Sequence, residues 1–398
     1  MTRLWDKGTP LDERILRFTA GEDHRLDERL VAYDVRASIA HARMLEEQGL
    51  LAAADCEAIC SGLEELGAQH ATGEWSIELE QEDCHSALEQ RLVDLIGPAG
   101  GRVHLGRSRN DQVLAALRLY LRDAGQMLAD GSTAVAEALD AVARQQGDIA
   151  LPGYTHMQPA MPSSVALWAG GFAAELRDDA AGLAVALRRA DSNPLGSAAG
   201  YGVPGLPLDR ETTRAALGFA KTQEPVTAVQ LSRGKAEAAL VFEIALLLGD
   251  LGRLASDLLL FYTAEFAFVT LPDDMTTGSS IMPQKRNPDV FELVRSAQAV
   301  AIGALTETLA ITTKLTSGYQ RDLQRLKSPL FRSIDLGEDT LAIMAHALSG
   351  IRFRRDNIEL GDDLYAAERA NEIVVQEGIP FREAYRRVAD ELRRRGKS

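Results

Sequence analysis

Residues 240–258 read LVFEIALLLGDLGRLASDL. Leu240, Ile244, Leu247, Leu248, Leu251, Leu254, Ala255 and Leu258 recur at the i, i+3, i+4, i+7 spacing that lines one face of an α-helix. The periodic run extends over 229–267, and comparable runs occupy 113–146 and 163–190, each about 25 residues or more and longer than the usual globular helix. Alternating strand-like runs are scarce, so the sequence predicts a mainly α fold in which long helices pack as a bundle.

Outward from these helices the chain divides into three expected domains: an N-terminal helical domain over 1–105, the long-helix bundle over 106–350 and a small C-terminal helical domain over 351–398. The last contains FREAYRRVADELRRR (381–395), whose basic final turn suits a helix C-terminus.

Composition narrows the function classes. Of 398 residues, 46% are hydrophobic, enough for a large aliphatic core. The 43 Lys and Arg against 58 Asp and Glu give a net charge of -15, which argues against nucleic acid or anionic lipid as a partner. An anionic small molecule would have to meet a local basic site.

The uncharged run 149–174 contains Pro152, Pro159 and Pro162, and Glu243 and Asp250 interrupt the run from Leu240, so neither predicts a membrane span. The opening MTRLWDKGTPLDER lacks a secretory pattern, so a cytoplasmic chain is expected. Cys56, Cys60 and Cys84 are odd in number and form no CxxC pair, which predicts no disulfide framework; Cys56 and Cys60 are expected in a helix core. With no metal-ligand spacing, dinucleotide turn or P-loop, no metal and no cofactor are expected.

Four Gly- and Pro-rich stretches read as loops between the helices: GPAGGRVHLGRSRND (97–111), LPGYTHMQPAMPS (151–163), NPLGSAAGYGVPGLPLD (193–209) and TTGSSIMPQKRNPD (276–289). In the last, Gly278 frees the backbone beside Ser279 and Ser280, and Lys285 and Asn287 follow, so a hydroxyl, a cation and an amide share one loop.

The segment GSSIMPQKRNP resembles the signature loop of the fumarase and argininosuccinate lyase superfamily. HLGRSRNDQV (104–113) and PGYTHMQPAMP (152–162) resemble two further signature stretches, and the RSRNDQ form is similar to the argininosuccinate lyases of that superfamily. EDCHSALE (82–89), SNPLGSAAGYG (192–202), YQRDLQRLK (319–327) and EGIPFREAY (377–385) extend the resemblance over nearly the whole chain.

The resemblance implies β-elimination of argininosuccinate to arginine and fumarate. A proton leaves the carbon beside a carboxylate, and the dianionic aci-carboxylate that forms needs cations and hydrogen-bond donors held ready for it. Lys285 and Asn287 would supply these. By the family pattern Ser279 is the general base, His156 helps the leaving nitrogen depart and Glu292 orients His156. Both Ser279 and His156 can serve either direction of a reversible reaction, and sequence leaves their roles open.

Ser108, Arg109, Asn110 and Thr155 resemble the residues that hold the succinyl carboxylates. Among the other histidines His85, also expected to bind substrate, is a weaker case than His156. Tyr319, Gln324 and Lys327 match contacts to the amino-acid group of the arginine half. The family also implies a homotetramer with shared active sites and no cofactor.

Some positions depart from the pattern. The usual N-terminal Gly-Gly-Arg-Phe is missing from LWDKGTPLDERILRF, and Asp23 stands where the family commonly has a substrate-contacting serine; an acid there is expected to repel a substrate carboxylate. Arg325 and Leu326 replace a frequent Glu-Asp, and the chain ends at GKS, short for the family. Gln284 stands where adenylosuccinate lyases usually have His and fumarases Gly. The alternatives are another fumarate-releasing lyase of adenylosuccinate type and a non-catalytic scaffold related to lens crystallins. Retention of Ser279, His156, Lys285, Asn287 and Glu292 speaks against the scaffold.

Overall fold

The computed structural model describes residues 12–395, so most of the opening stretch and the terminal GKS lie outside the described residues. Helices dominate, and five are long: Arg109–Gln146, Val165–Leu187, Lys235–Tyr262, Asp289–Thr312 and Lys327–Gly350. Leu240, Ile244, Leu247, Leu248, Leu251, Leu254, Ala255 and Leu258 are all buried, as their spacing predicts. Truncating one such leucine to alanine typically costs about 2–5 kcal/mol.

One helical expectation needs correction. The run 229–267 is not continuous: a short helix Thr227–Leu231 ends, and the long helix restarts at Lys235. Gly234 makes the break, with φ at +86° and a position where a Cβ would lie 2.3 Å from the Thr312 side chain. Periodicity passed over this break because the apolar spacing resumes in phase on its far side.

The chain forms two compact units. The first comprises the described residues up to Ala129 together with Ala181–Ala245 and Ala299–Gly337. In it, Val31–Glu47 packs on Ala53–Ala71 and on Cys84–Ile96, with Leu45, Ile59, Leu63 and Leu92 buried. Cys56 and Cys60 sit buried on the Ala53–Ala71 helix with their sulfurs 4.0 Å apart, and burial pushes the Cys56 thiol up to about 12, leaving it inert at neutral pH.

The second unit comprises Asp130–Ala180, Leu246–Gln298 and the described residues from Glu338 onward. Here 151–163 is not an irregular loop: Ala150–Thr155 and Gln158–Ser164 form an antiparallel hairpin with Thr155 opposite Gln158. Its register slips between Gly153 and Tyr154. The many prolines and the absence of polar–apolar alternation concealed it. Trp168, Phe261, Phe268 and Phe353 form an aromatic cluster nearby in the chain's second unit, anchored by Trp168 Nε1 donating to Asp257 Oδ2 at 3.0 Å. Ala366–Glu377 and Phe381–Arg395 pack on each other through Ala370, Ala384 and Val388. Among the described residues, no helix is long and apolar enough to cross a membrane.

Candidate active site

In the first unit the site begins where the Arg109–Gln146 helix begins. Ser108 Oγ accepts from Asn110 N at 3.3 Å, and Asp111 Oδ1 accepts from Ser108 N at 3.0 Å, a reciprocal cap that defines the helix start. Asp111 Oδ2 also accepts from Gly196 N and Ala198 N, at 3.0 and 2.8 Å, which fastens the 192–202 stretch to this turn. Arg118, one face further along, donates to Ser192 O at 2.6 Å and to Ser232 Oγ at 3.1 Å, so the break before Lys235 is tied to the same helix. Ser108 therefore acts as a helix cap here, while Arg109 and Asn110 occupy the end of the helix whose free N–H groups favour an anion.

Arg109 and Asn110 line a cleft of about 340 Å³ together with Tyr319, Gln324, Lys327 and Asp23. Arg233 and Arg321, which stand at no matched motif position, line it too. For Arg233 the available signal was its place beside Gly234: a turn just before a long helix presents its side chain at a fixed point. Arg321 lies inside the YQRDLQRLK stretch, between the matched positions Tyr319 and Gln324.

The cleft wall is a chain of ion pairs. Arg109 Nη2 lies 2.5 Å from Asp83 Oδ2, and Arg321 Nη2 lies 3.2 Å from Glu82 Oε2. Gln324 Nε2 donates to the Thr19 and Ala20 carbonyls at 2.9 and 3.1 Å. Lys327 Nζ sits between Asp27 Oδ1 at 2.6 Å and Asp23 Oδ2 at 3.0 Å.

Burial works against the Lys327 ammonium, yet Asp27 and Asp23 outweigh it and hold its pKa above the ordinary lysine range. Burial likewise disfavours the Asp83 carboxylate, but Arg109 and then His85 outweigh it and keep that carboxyl low. For Asp23 burial prevails over Lys327, with Asp27 adding to it, and its carboxyl is pushed up to about 7.

His85 is not among the residues lining the cleft. It is buried with Nδ1 3.0 Å from Asp34 Oδ2, and Asp34 also accepts from Gln112 Nε2 at 3.1 and 3.2 Å. Burial opposes its charge, but Asp34, and behind it Asp83 and Asp27, raise its pKa. Asp27, Cys84 and His85 each bring one donor atom within 4.8 Å of the others, a set that could in principle hold a metal. Lys327 Nζ, 2.6 Å from Asp27 Oδ1, already supplies a cation to that carboxylate.

The remaining candidates belong to the second unit. Thr277 and Asn287 form an antiparallel bridge, with Thr277 N donating to Asn287 O at 3.0 Å and Asn287 N to Thr277 O at 2.8 Å. This bridge closes the 278–286 loop, and the Asn287 side-chain amide donates inward to Gly278 O at 3.3 Å. Ser279 Oγ accepts from Met282 N at 3.2 Å and from Ile281 N at 3.4 Å. Two N–H groups aimed at one hydroxyl oxygen favour negative charge on it, the direction a serine base requires. Lys285 is exposed on the same loop, as are Ser280 and Ile281.

Thr155 and His156 are exposed at the hairpin tip, and Glu292 is exposed in the first turn of the Asp289–Thr312 helix. His156 and Met157 hold φ of 54° and 60° in succession without glycine. A two-residue hairpin turn demands that geometry, and it is usually met by Asn-Gly. Such stored strain concentrates at functional sites.

A helical protein with a cleft lined by three arginines and a lysine, and with a Gly-Ser-Ser loop, defines a class before it defines a member, and a family model described as lyase matches residues 9–303. Argininosuccinate lyase of Sorangium cellulosum is 47% identical over 392 residues, covering 98% of this chain and 90% of the relative. That of Thermotoga neapolitana is 40% identical over 394 residues, covering 98% of each. Among solved structures, EDDS lyase in complex with formate has a TM-score of 0.81 at 27% identity, covering 96% of this chain and 76% of the other. Class II fumarase from Schistosoma mansoni shares the fold, with a TM-score of 0.77 at 18% identity and coverage of 96% and 89%. The chain belongs to the lyase family and, within it, to the argininosuccinate lyases.

Proposed function

We propose that this protein cleaves argininosuccinate reversibly to arginine and fumarate by β-elimination in the cytoplasm. The observation that carries the site reading is the cleft itself: Arg109, Arg233, Arg321 and Lys327 line it against two lining carboxylates, Asp23 and Asp83, in a chain whose net charge is -15. Guanidinium and ammonium groups gathered so locally, although each is set against a carboxylate of the protein, offer donors to a substrate with several carboxylates.

In this reading Arg109 and Asn110 grip the succinyl carboxylates, with Thr155 joining them, and Tyr319, Gln324 and Lys327 receive the arginine half. Ser279 removes the proton from the succinyl carbon, and Lys285 and Asn287 stabilise the charge that builds on the neighbouring carboxylate. For Asn287 this requires its amide to leave the Gly278 carbonyl, a rearrangement expected of a loop that closes on its ligand. His156, oriented by Glu292, returns a proton to the departing guanidino nitrogen as the carbon–nitrogen bond breaks. Ser108 and His85 support the site from behind, Ser108 as the cap under Arg109 and His85 through its pair with Asp34.

The cleft residues belong to one compact unit and the loop residues to the other. A homotetramer with shared sites, in which different subunits contribute the two sets, is the assembly that the family resemblance implies. Apolar side chains left exposed on the long helices support assembly: Leu293, Ile302 and Leu309 on one, Phe242 and Leu246 on another. The three-domain organisation, with its bundle over 106–350, is part of the same proposal.

Fumarate release, followed by its ultraviolet absorbance, tests the reading with argininosuccinate, adenylosuccinate and malate offered in parallel. Argininosuccinate is expected to be cleaved at least about a hundredfold faster than either rival, as a site built around charged groups discriminates. Faster cleavage of adenylosuccinate, or no fumarate from any of the three, would overturn it.

A further inference from the structure

Asp23 is the residue whose chemistry the cleft leaves unexplained. Asp27 is wholly buried and already engages Lys327 Nζ at the shorter distance, 2.6 Å, so Asp23 at 3.0 Å is a second carboxylate on a single ammonium. Asp83, paired with Arg109, adds further negative potential. A carboxylate short of positive charge in a ligand cleft calls for a cation from the ligand. Burial, with Asp27 and Asp83 adding to it against the opposing effect of Lys327, pushes its pKa up to about 7.

Its position is equally informative. Asp23 lines the 340 Å³ cleft and also an adjoining one of about 570 Å³, and Arg321 and Gln324 line both as well. A ligand extending from the first cleft into the second must pass this group. Asp23 and Lys327 present opposite charges 3.0 Å apart, matched to an α-amino acid head whose ammonium and carboxylate flank one carbon.

We propose that Asp23 is a specificity-determining residue that binds the α-ammonium of the ligand's amino-acid half while Lys327 and Arg321 take the adjacent carboxylate. The inference rests on the argininosuccinate reading and sharpens it. The acid that looked like an obstacle to a substrate carboxylate instead selects a zwitterion and repels simple dicarboxylates at that place. An asparagine at position 23 would leave Lys327 neutralised by Asp27 and remove only the excess charge.

The test is calorimetric titration of the full-length, assembled protein with L-arginine, with argininic acid, which carries a hydroxyl in place of the α-amino group, and with fumarate. The wild type is expected to bind L-arginine about tenfold or more tighter than argininic acid, equivalent to about 1.4 kcal/mol. Asp23→Asn is expected to abolish that gap by weakening L-arginine alone, while fumarate, which carries no ammonium, binds no more weakly than to the wild type. A gap that survives in Asp23→Asn, or an equal loss for both compounds, would overturn the proposal. Should the variant not fold, equal wild-type affinities for the two compounds would overturn it, and a tenfold gap would support it. A wild type that keeps the gap but releases no fumarate from argininosuccinate sinks the activity reading alone; fumarate release without the gap sinks only the role of Asp23.

Discussion

Ser279→Ala is expected to lower kcat for fumarate release by about a thousandfold, within the ~10²–10⁴ that a positioned acid–base group contributes, with KM changed little. The hydroxyl oxygen receives N–H groups from Ile281 and Met282, so the loop is already arranged to tolerate charge on that atom. Alanine would remove the proposed base without removing the bridge between Thr277 and Asn287 that shapes the loop. The decisive readout is exchange of the substrate's carbon-bound proton with deuterated solvent. Exchange should vanish in Ser279→Ala and persist in His156→Asn, which keeps the base but impairs the leaving nitrogen. Full exchange in Ser279→Ala would exchange the two roles.

Lys327→Met is expected to destabilise the folded protein by about 3–5 kcal/mol, the usual cost of leaving a buried charge without its partner. Methionine matches the length of lysine and fills its space, so the loss reports charge rather than packing. Asp27 is fully buried and accepts from Cys84 N at only 3.4 Å, which cannot replace an ammonium at 2.6 Å. Denaturant unfolding measures the effect, and adding Asp27→Asn to Lys327→Met should recover part of it. No loss in the single variant would mean that the carboxylates around Lys327 do not depend on it.

The helices were legible because apolar spacing survives translation into burial residue by residue, as Leu240 through Leu258 demonstrate. Local breaks were less so. Gly234 interrupts a helix without interrupting its apolar phase, and the 150–164 hairpin pairs strands whose prolines suppress the alternation that betrays a strand. Within the site, Arg109, Asn110, Tyr319, Gln324 and Lys327 were each found from a motif, and the fold collects them in one cleft. Charge balance could not be read that way. That Asp23 and Asp27 share one lysine, that His85 turns to Asp34 and that Arg233 reaches the cleft are consequences of packing between segments far apart in sequence.

The central claim is that argininosuccinate is bound by the Arg109 cleft and attacked from the Ser279 loop of a different subunit. A crystal structure of the Ser279→Ala protein with argininosuccinate tests it most directly. The account predicts a tetramer whose ligand has its succinyl carboxylates on Arg109 and Asn110 of one subunit, with Lys285 and Asn287 of another closed over it. Ligand bound away from Arg109, or enclosed by the cleft and loop of a single subunit, would contradict it.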